Sequence, residues 1–253
     1  MGKSHTTLLP IIDVHAHILP GVDDGARNME ESLQMLQMAY RQGVRKIIAT
    51  PHFRFIPDKQ YYGNEKERLS ALCRELEEKG RAKGMKVRIY LGQEILYFDG
   101  MTEYLENGWA LTLGGSRYVL IEFPPLVAFA TILRAVQTLE RGGYLAVLAH
   151  IERYSCLREP GKLQALSEEG ALFQMNYACF SGKLFDRGAR WCRKQVLEGR
   201  IHLLGTDMHR EDRRKPNVEP FASCLMRKAP ELAWKVLHQN PAQILNGEMI
   251  LND

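Results

Sequence analysis

Residues 11–17 read Ile11-Ile12-Asp13-Val14-His15-Ala16-His17, a short apolar run that ends in His-x-His. On an extended strand alternate side chains share a face, so His15 and His17 project together toward one point. The same arrangement recurs along the chain. His52 follows Lys46-Ile47-Ile48-Ala49-Thr50-Pro51, and His150 follows Leu145-Ala146-Val147-Leu148-Ala149. Asp207 and His209 follow His202-Leu203-Leu204-Gly205-Thr206, Glu94 sits in Gly92-Gln93-Glu94-Ile95, and Glu122 closes Val119-Leu120-Ile121-Glu122. A single histidine at a strand end is most often solvated or simply hydrogen-bonded. Its recurrence after successive apolar runs is a different observation, because parallel barrels gather their chemistry at the C-terminal ends of strands. Imidazole and carboxylate donors without thiolate suit Mn, Fe, Zn or Mg better than a cysteine-based structural zinc. The pattern predicts a polynuclear hydrolase site.

Between these runs lie longer amphipathic stretches, the signature of βα units and a parallel sheet. Strands are expected near 10–16, 44–49, 86–94, 117–122, 144–149, 171–176 and 201–206. Met29, Leu33, Leu36 and Tyr40 recur at helical spacing, opened by Asn28 with Glu31 behind it and closed by Gly43. Further helices are expected over 61–83, ending at Gly80 or Gly84, over 126–141 before Gly142-Gly143, and over 183–198 before Gly199. The tail, with Leu225, Leu232, Trp234 and Leu237, reads as one or two helices closing the bottom or edge of a barrel. The chain has 253 residues, enough for one large α/β domain with a full core. Without repeats or linkers, 1–253 reads as a single domain, with 1–9 a flexible N-terminal extension.

Net charge is +4, and no run of five or more like charges occurs, so nucleic-acid binding is not indicated. The stretch Arg74 to Arg88 also carries Glu75, Glu77 and Glu78 and reads as a solvated helix face. No apolar segment approaches a membrane span, and the N-terminus lacks a signal-peptide apolar region, so the expected compartment is the cytoplasm. Cys73, Cys156, Cys179, Cys192 and Cys224 form no C-x-x-C pair, which predicts free, mostly buried thiols. A cysteine-dependent phosphatase needs an arginine six residues after its thiolate. Here those positions hold Lys79, Lys162, Phe185, Glu198 and Pro230, so that chemistry is absent.

Asp13-Val-His-Ala-His-Ile-Leu-Pro-Gly-Val-Asp-Asp-Gly-Ala26 and Ile48-Ala49-Thr50-Pro51-His52 resemble the PHP (polymerase and histidinol phosphatase) superfamily. So do Gly92-Gln93-Glu94-Ile95, Leu120-Ile121-Glu122-Phe123, Ala149-His150-Ile151-Glu152-Arg153-Tyr154 and Thr206-Asp207-Met208-His209. More narrowly they resemble its bacterial protein-tyrosine phosphatases of capsule and exopolysaccharide operons, over about the whole chain from Asp13 to Asn240-Pro241-Ala242. The resemblance implies a distorted (β/α)7 TIM-like barrel and a cluster of three divalent metals, manganese first among them, with Fe, Zn or Mg as alternatives. It further implies that a metal-bridging hydroxide attacks phosphotyrosine, and that the partner is the tyrosine-rich tail of a bacterial tyrosine kinase. Carried over by motif, His15, His17, Glu94 and Asp207 would hold one ion. Glu94 would bridge to a second held by Glu122 and His150, and His52 and His209 would complete the set, with His52 at the third.

Three further residues are candidates for catalysis. Arg153, three past His150, would place a guanidinium over the phosphate; its bland reading is a salt bridge with Glu152. Arg214 matches the position of the family's second phosphate-binding arginine, although Arg210-Glu211-Asp212-Arg213-Arg214-Lys215 also reads as a solvated loop. Asp24 could protonate a leaving oxygen or orient water, or Asp24-Gly25 could simply make a tight turn. Gly205-Thr206 stands where the family often has Ala-Ser, and Gln174-Met175-Asn176-Tyr177-Ala178 replaces a more Ser-rich segment; neither change removes a ligand. His5, His202 and His238 receive no role. The rivals are a small-molecule phosphoesterase such as a histidinol-phosphate phosphatase, an amidohydrolase barrel, and a non-catalytic partner of a membrane-associated kinase. The amidohydrolase would want a bridging lysine where Glu94 and Glu122 stand.

Overall fold

Every residue of β1 (Ile11–Ala16) is buried, Asp13 and His15 included, as a strand in a sheet covered on both faces requires. The structure, a computed structural model, describes residues 9–55, 65–181 and 186–250. The expected N-terminal extension, His5, and the first residues of the 61–83 and 183–198 helices fall outside the described residues, apart from Leu9 of the extension.

After β1 the chain forms α1 (Met29–Arg41), β2 (Val44–Ala49), β3 (His52–Phe53), α2 (Glu65–Ala82), β4 (Arg88–Leu91), β5 (Glu94–Leu96) and α3 (Met101–Glu106). Then come β6 (Tyr118–Glu122), α4 (Phe129–Arg141), β7 (Leu145–Leu148), α5 (Lys162–Glu168), β8 (Leu172–Asn176), α6 (Arg187–Leu197) and β9 (Leu203–Gly205). The tail carries α7 (Glu219–Lys228), α8 (Pro230–Trp234), a π-helical turn and α9 (Asn240–Asn246), more helices than the apolar spacing suggested. Asn28 caps α1 as expected, its side chain accepting the Glu31 N–H at 3.0 Å. Helix α2 runs through Gly80 to the turn at Gly84.

All strand pairs are parallel, in the orders β1-β2-β4 and β3-β5-β6-β7-β8-β9, giving an α/β fold with a curled sheet. The run expected as one strand over 86–94 divides into β4 and β5, and β3 follows β2 after a break of its own. Both breaks lie at one level: Ala49 pairs with Leu91, and pairing resumes at His52 with Glu94. Pro51, which has no N–H to give a ladder, stands in the gap. The Gly92 N–H to Ala49 O (2.8 Å) and the Glu94 N–H to Pro51 O (3.3 Å) carry the backbone across it.

At the other edge β9 meets β1. Ala16 and Met208 form a parallel bridge, Asp207 N–H donates to His15 O at 2.8 Å, and His17 N–H donates to Met208 O at 2.9 Å. Gly205 permits this approach, since a Cβ there would lie 2.6 Å from His15 Cβ and 2.9 Å from Gln174 Nε2. Val14, Ile48, Leu120, Val147 and Leu203 pack together inside the curl, and Leu113, Ile244 and Ile250 join them. The larger apolar cluster lies between the sheet and the helices. Tyr118 donates its O–H to Glu248 O (2.9 Å) and accepts the Ile250 N–H (2.8 Å), tying the tail under the start of β6. His202 is buried and accepts the Phe173 N–H at 3.0 Å, a structural use consistent with its lack of an assigned role. The five cysteines are unbridged; Cys73 and Cys192 are buried and the others half-buried. Among the described residues no helix is long and apolar enough to cross a membrane.

Candidate metal centre and active site

Strand alternation puts His15 and His17 on one face of β1 and its extension, and their Nε2 atoms lie 3.2 Å apart. Glu94, opening β5, brings Oε2 to 3.2 Å from His15 Nε2 and 3.1 Å from His17 Nε2. Asp207, just past β9, brings Oδ1 to 3.7 and 3.5 Å from the same two nitrogens. All four side chains are buried. Asp207 Oδ1 has no hydrogen-bond partner, which is costly for a buried carboxylate oxygen unless a cation takes it up. Donors bound at about 2.0–2.2 Å to one ion stand about 3–3.5 Å from one another, so this quartet fits a divalent metal.

Two more groups share these residues. His52 Nδ1 lies 3.2 Å from Glu94 Oε2 and 3.4 Å from Glu122 Oε1. His150 Nε2 lies 2.7 Å from Glu94 Oε1 and 3.6 Å from Glu122 Oε2, so Glu94 faces both neighbouring groups. On the other side Asp24 Oδ1 stands 3.4 Å from His52 Nε2 and 3.5 Å from His209 Nε2. Clusters of donors able to hold a cation are therefore His15-His17-Glu94-Asp207, His52-Glu94-Glu122 and His17-Asp24-His52-His209. The eight expected ligands come together, and Asp24, expected as an acid or a turn residue, stands among donors. Arg153 Nη2 and Arg214 Nη2 each reach Asp207 Oδ2 at 2.5 Å, and Arg214 Nη1 donates to His209 Nε2 at 3.0 Å. Glu152, the bland partner for Arg153, turns instead to the Asn176 N–H at 3.3 Å. Among the described residues three non-glycine residues have left-handed backbones, His150 (φ 32°), Asp207 (φ 49°) and Arg214 (φ 57°), and all three are in the site. Strain of this kind persists where surrounding contacts enforce it.

Around the donors stands a set of orienting groups that the sequence reading passed over. Asp23 Oδ2 accepts the His17 Nδ1–H at 2.7 Å and the His52 backbone N–H at 3.0 Å, while Oδ1 accepts the Gly25 N–H at 2.9 Å. Gly25 must be glycine here, because a Cβ would come within 2.2 Å of His17 O. From β8, which supplies no donor, Gln174 Oε1 accepts from His15 Nδ1–H (3.1 Å) and His150 N–H (2.8 Å). Its Nε2 donates to Asn176 Oδ1 (3.0 Å), and Asn176 Nδ2 donates to Asp207 Oδ2 (2.7 Å). Asp13 accepts Thr206 Oγ1–H at 2.6 Å and Thr206 N–H at 2.9 Å, joining β1 to β9 below the site. His209 Nδ1–H donates to Asp207 O (2.9 Å), which leaves Nε2 unprotonated, as the lone pair that accepts from Arg214. Such partners fix the tautomer of a ligating imidazole.

Burial opposes charge on His17 and His150. Hydrogen bonds and charges from Asp23 and Glu94, and from Glu122 and Glu94, overcome it and raise them to about 10 and about 9. Burial works against ionised Asp23 and Glu122 too, yet their histidine partners bring both down to about 2. Glu94 and Asp207 are likewise held low despite burial. His209 falls to about 4, through burial and then the charges of His17 and Arg214. Asp13 rises to about 6 because burial outweighs its hydrogen bonds. Carboxylates held low beside histidines held high show that these groups favour opposite charges across the centre, with His209 the exception.

A family model for capsular polysaccharide synthesis, CpsB/CapC, matches residues 11–246. The chain is 31% identical over 247 residues to tyrosine-protein phosphatase CpsB of Streptococcus pneumoniae, covering 95% of this chain and 100% of that one. Tyrosine-protein phosphatase YwqE of Bacillus subtilis (strain 168) is 30% identical over 246 residues, covering 95% and 93%. The fold is similar, with a TM-score of 0.85 at 29% identity and 96% and 97% coverage, to a chain from the crystal structures of YwqE from Bacillus subtilis and CpsB from Streptococcus pneumoniae, metal-dependent tyrosine phosphatases. The matched span runs from the first residue of β1 to the last of α9 and contains every donor described above, so this chain belongs to the CpsB/CapC family of capsular polysaccharide synthesis.

Proposed function

We propose that this chain is a metal-dependent protein-tyrosine phosphatase: a single distorted (β/α)7 barrel that hydrolyses phosphotyrosine in the cytoplasm, on the tail of a bacterial tyrosine kinase that governs capsule or exopolysaccharide synthesis. The observation that carries the reading is the overlap of three donor groups on Glu94 and His52, beneath two arginines, in a chain whose named relatives are tyrosine-protein phosphatases.

His15, His17, Glu94 and Asp207 would hold one cation, Glu94, Glu122 and His150 a second, and Asp24, His52 and His209 a third, with manganese the first candidate. Bound ions of this kind supply positive charge to phosphate oxygens and make water a usable nucleophile near neutral pH. The chain's own groups do the rest. Arg153 and Arg214 both reach Asp207 Oδ2, and their guanidiniums can turn from that carboxylate to a phosphate, whose oxygens they match bidentately. Arg213 and Arg214 are both exposed, but Arg214 is the one whose guanidinium reaches Asp207 and His209, so it is the member of the pair assigned to phosphate. His209 keeps Nε2 unprotonated by spending its N–H on Asp207 O. Phenolate, with a pKa near 10, leaves with little help from an acid, so a site in which Asp24 serves as a donor can still cleave an aryl ester.

A histidinol-phosphate phosphatase would use the same donors. The two are separated by the kcat/KM of metal-reconstituted protein for a phosphotyrosine peptide against histidinol phosphate. Strong preference for the peptide is expected; preference for histidinol phosphate would move the chain to small-molecule metabolism with the site unchanged.

A further inference from the structure

The mouth of the site has two unlike halves. Asp24, Arg153 and Arg214 ring the side formed beyond β1, β7 and β9. On the side formed by β3, β5 and β6 the chain exposes large apolar side chains just after its donors: Phe55 (54% exposed) after His52, Leu96 (49%) after Glu94, and Leu126 (90%) after Glu122. The other exposed large apolar side chains of the described residues, Leu197, Trp234 and Met249, belong to α6, α8 and the tail.

Leu96 is the most informative of the three. On β5 Glu94 faces the donors, Ile95 is fully buried in the helix-side cluster, and Leu96 returns to the face of Glu94. Two residues advance a strand by about 7 Å, so Leu96 overhangs the donors by about the reach of an aryl group beyond its phosphate. It pairs in register with Glu122, and the Tyr97 N–H to Glu122 O bond (3.0 Å) keeps it there. Phe55, by contrast, is seated on Phe98 and Tyr104, with ring centroids 5.0 and 5.6 Å away, and these rest on buried Phe53 of the helix-side cluster, so Phe55 stands outside the subsite. Leu126 tops the turn closed by Val127 N–H to Pro124 O at 2.9 Å.

We propose that Leu96, together with Leu126, forms the subsite that receives the phenyl ring of the substrate, so that this rim sets the preference for an aryl over an alkyl phosphate. The inference rests on the phosphatase reading above. A phosphate held by Arg153 and Arg214 leaves its ester group only the apolar half of the mouth in which to shed water, and a ring gains most there.

The test uses manganese-reconstituted protein and calorimetry with two probes: a peptide bearing the non-hydrolysable phosphonate analogue of phosphotyrosine, and inorganic phosphate, which has no ring. Leu96→Ala should weaken the peptide about tenfold, and inorganic phosphate by less than about twofold. Leu126→Ala, at an exposed turn where folding is not at stake, should weaken the peptide in the same selective sense. Unchanged peptide binding in both variants, or an equal loss for both probes, would overturn the proposal. Turnover by the unaltered protein separates the two claims. If it hydrolyses a phosphotyrosine peptide while the variants bind normally, the rim assignment alone fails; if it does not, the phosphatase reading fails and the rim assignment with it.

Discussion

Replacing Asp23 by Asn tests how the centre is organised. The Asp23 side chain is almost wholly buried and accepts three N–H groups, from His17, His52 and Gly25. An amide can keep its oxygen toward His17 and His52 only by turning its NH2 against the Gly25 N–H, which then loses its acceptor. The opposite orientation strands both His17 and His52. The less damaging choice leaves one buried donor unpaired, costing about 1–3 kcal/mol of folding stability. It also replaces a charge-assisted bond to His17 by a neutral one about half as strong. His17 then holds its metal-facing tautomer less firmly, and divalent metal affinity should fall about 10- to 100-fold. Calorimetric titration of chelator-stripped Asp23→Asn protein with Mn measures this directly, and Asp23→Ala, which strands all three donors, should lose more. Unchanged affinity in both variants would refute the idea that Asp23 orients His17.

Three other outcomes follow from the same geometry. His150→Ala removes a group facing both Glu94 and Glu122 and should abolish phosphotyrosine hydrolysis while circular dichroism stays close to that of the parent; undiminished turnover would sink the site assignment. Gln174→Ala leaves the His15 Nδ1–H and the His150 N–H without their acceptor, so a loss of about 2–6 kcal/mol is expected in denaturant unfolding. For metal-free protein, His17 and His150 have folded values of about 10 and about 9, above their ordinary 6.5, so their stabilisation is complete below 6.5 and is lost as pH rises through 9 and 10. Glu122 and Asp23, lowered to about 2, contribute stability above their ordinary 4.5 and 3.8 that is lost as pH falls toward 2. The Tm in chelator should therefore peak between about pH 5 and 6.5 and decline toward alkaline pH; a Tm that climbs from pH 6.5 to 9 would contradict this.

What the sequence shows and what it hides divide along physical lines. His15 and His17 are legible because alternation on a buried strand leaves a polar pair few reasons to share a face. Glu122 is legible because a carboxylate ending an apolar run needs a partner, and Glu94 because it stands between two apolar runs, ahead of Ile95. The break that makes β4 and β5 two strands is less visible, since Gly92-Gln93 carries neither a proline nor a charge, and the level of the break depends on Pro51 in the neighbouring strand. Asp23 was hidden by its neighbours: Asp23-Asp24-Gly25 reads as a turn, and only the fold brings its carboxylate to His17 and the His52 N–H. Gln174 and Asn176 look like core polar residues of a strand, and their contacts with His15, His150 and Asp207 span 24 to 159 positions of sequence. Asp24 was visible as chemistry but not as a neighbour of His52 and His209, because the loop that carries it has no period to reveal where it folds.

The account stands or falls on whether phosphotyrosine hydrolysis belongs to the donor cluster. The direct measurement is turnover of a phosphotyrosine peptide by protein dialysed exhaustively against chelator, then reconstituted separately with Mn, Fe, Zn and Mg. Turnover should vanish on stripping and return with added metal, most fully with Mn. Turnover that survives complete removal of metal would contradict it.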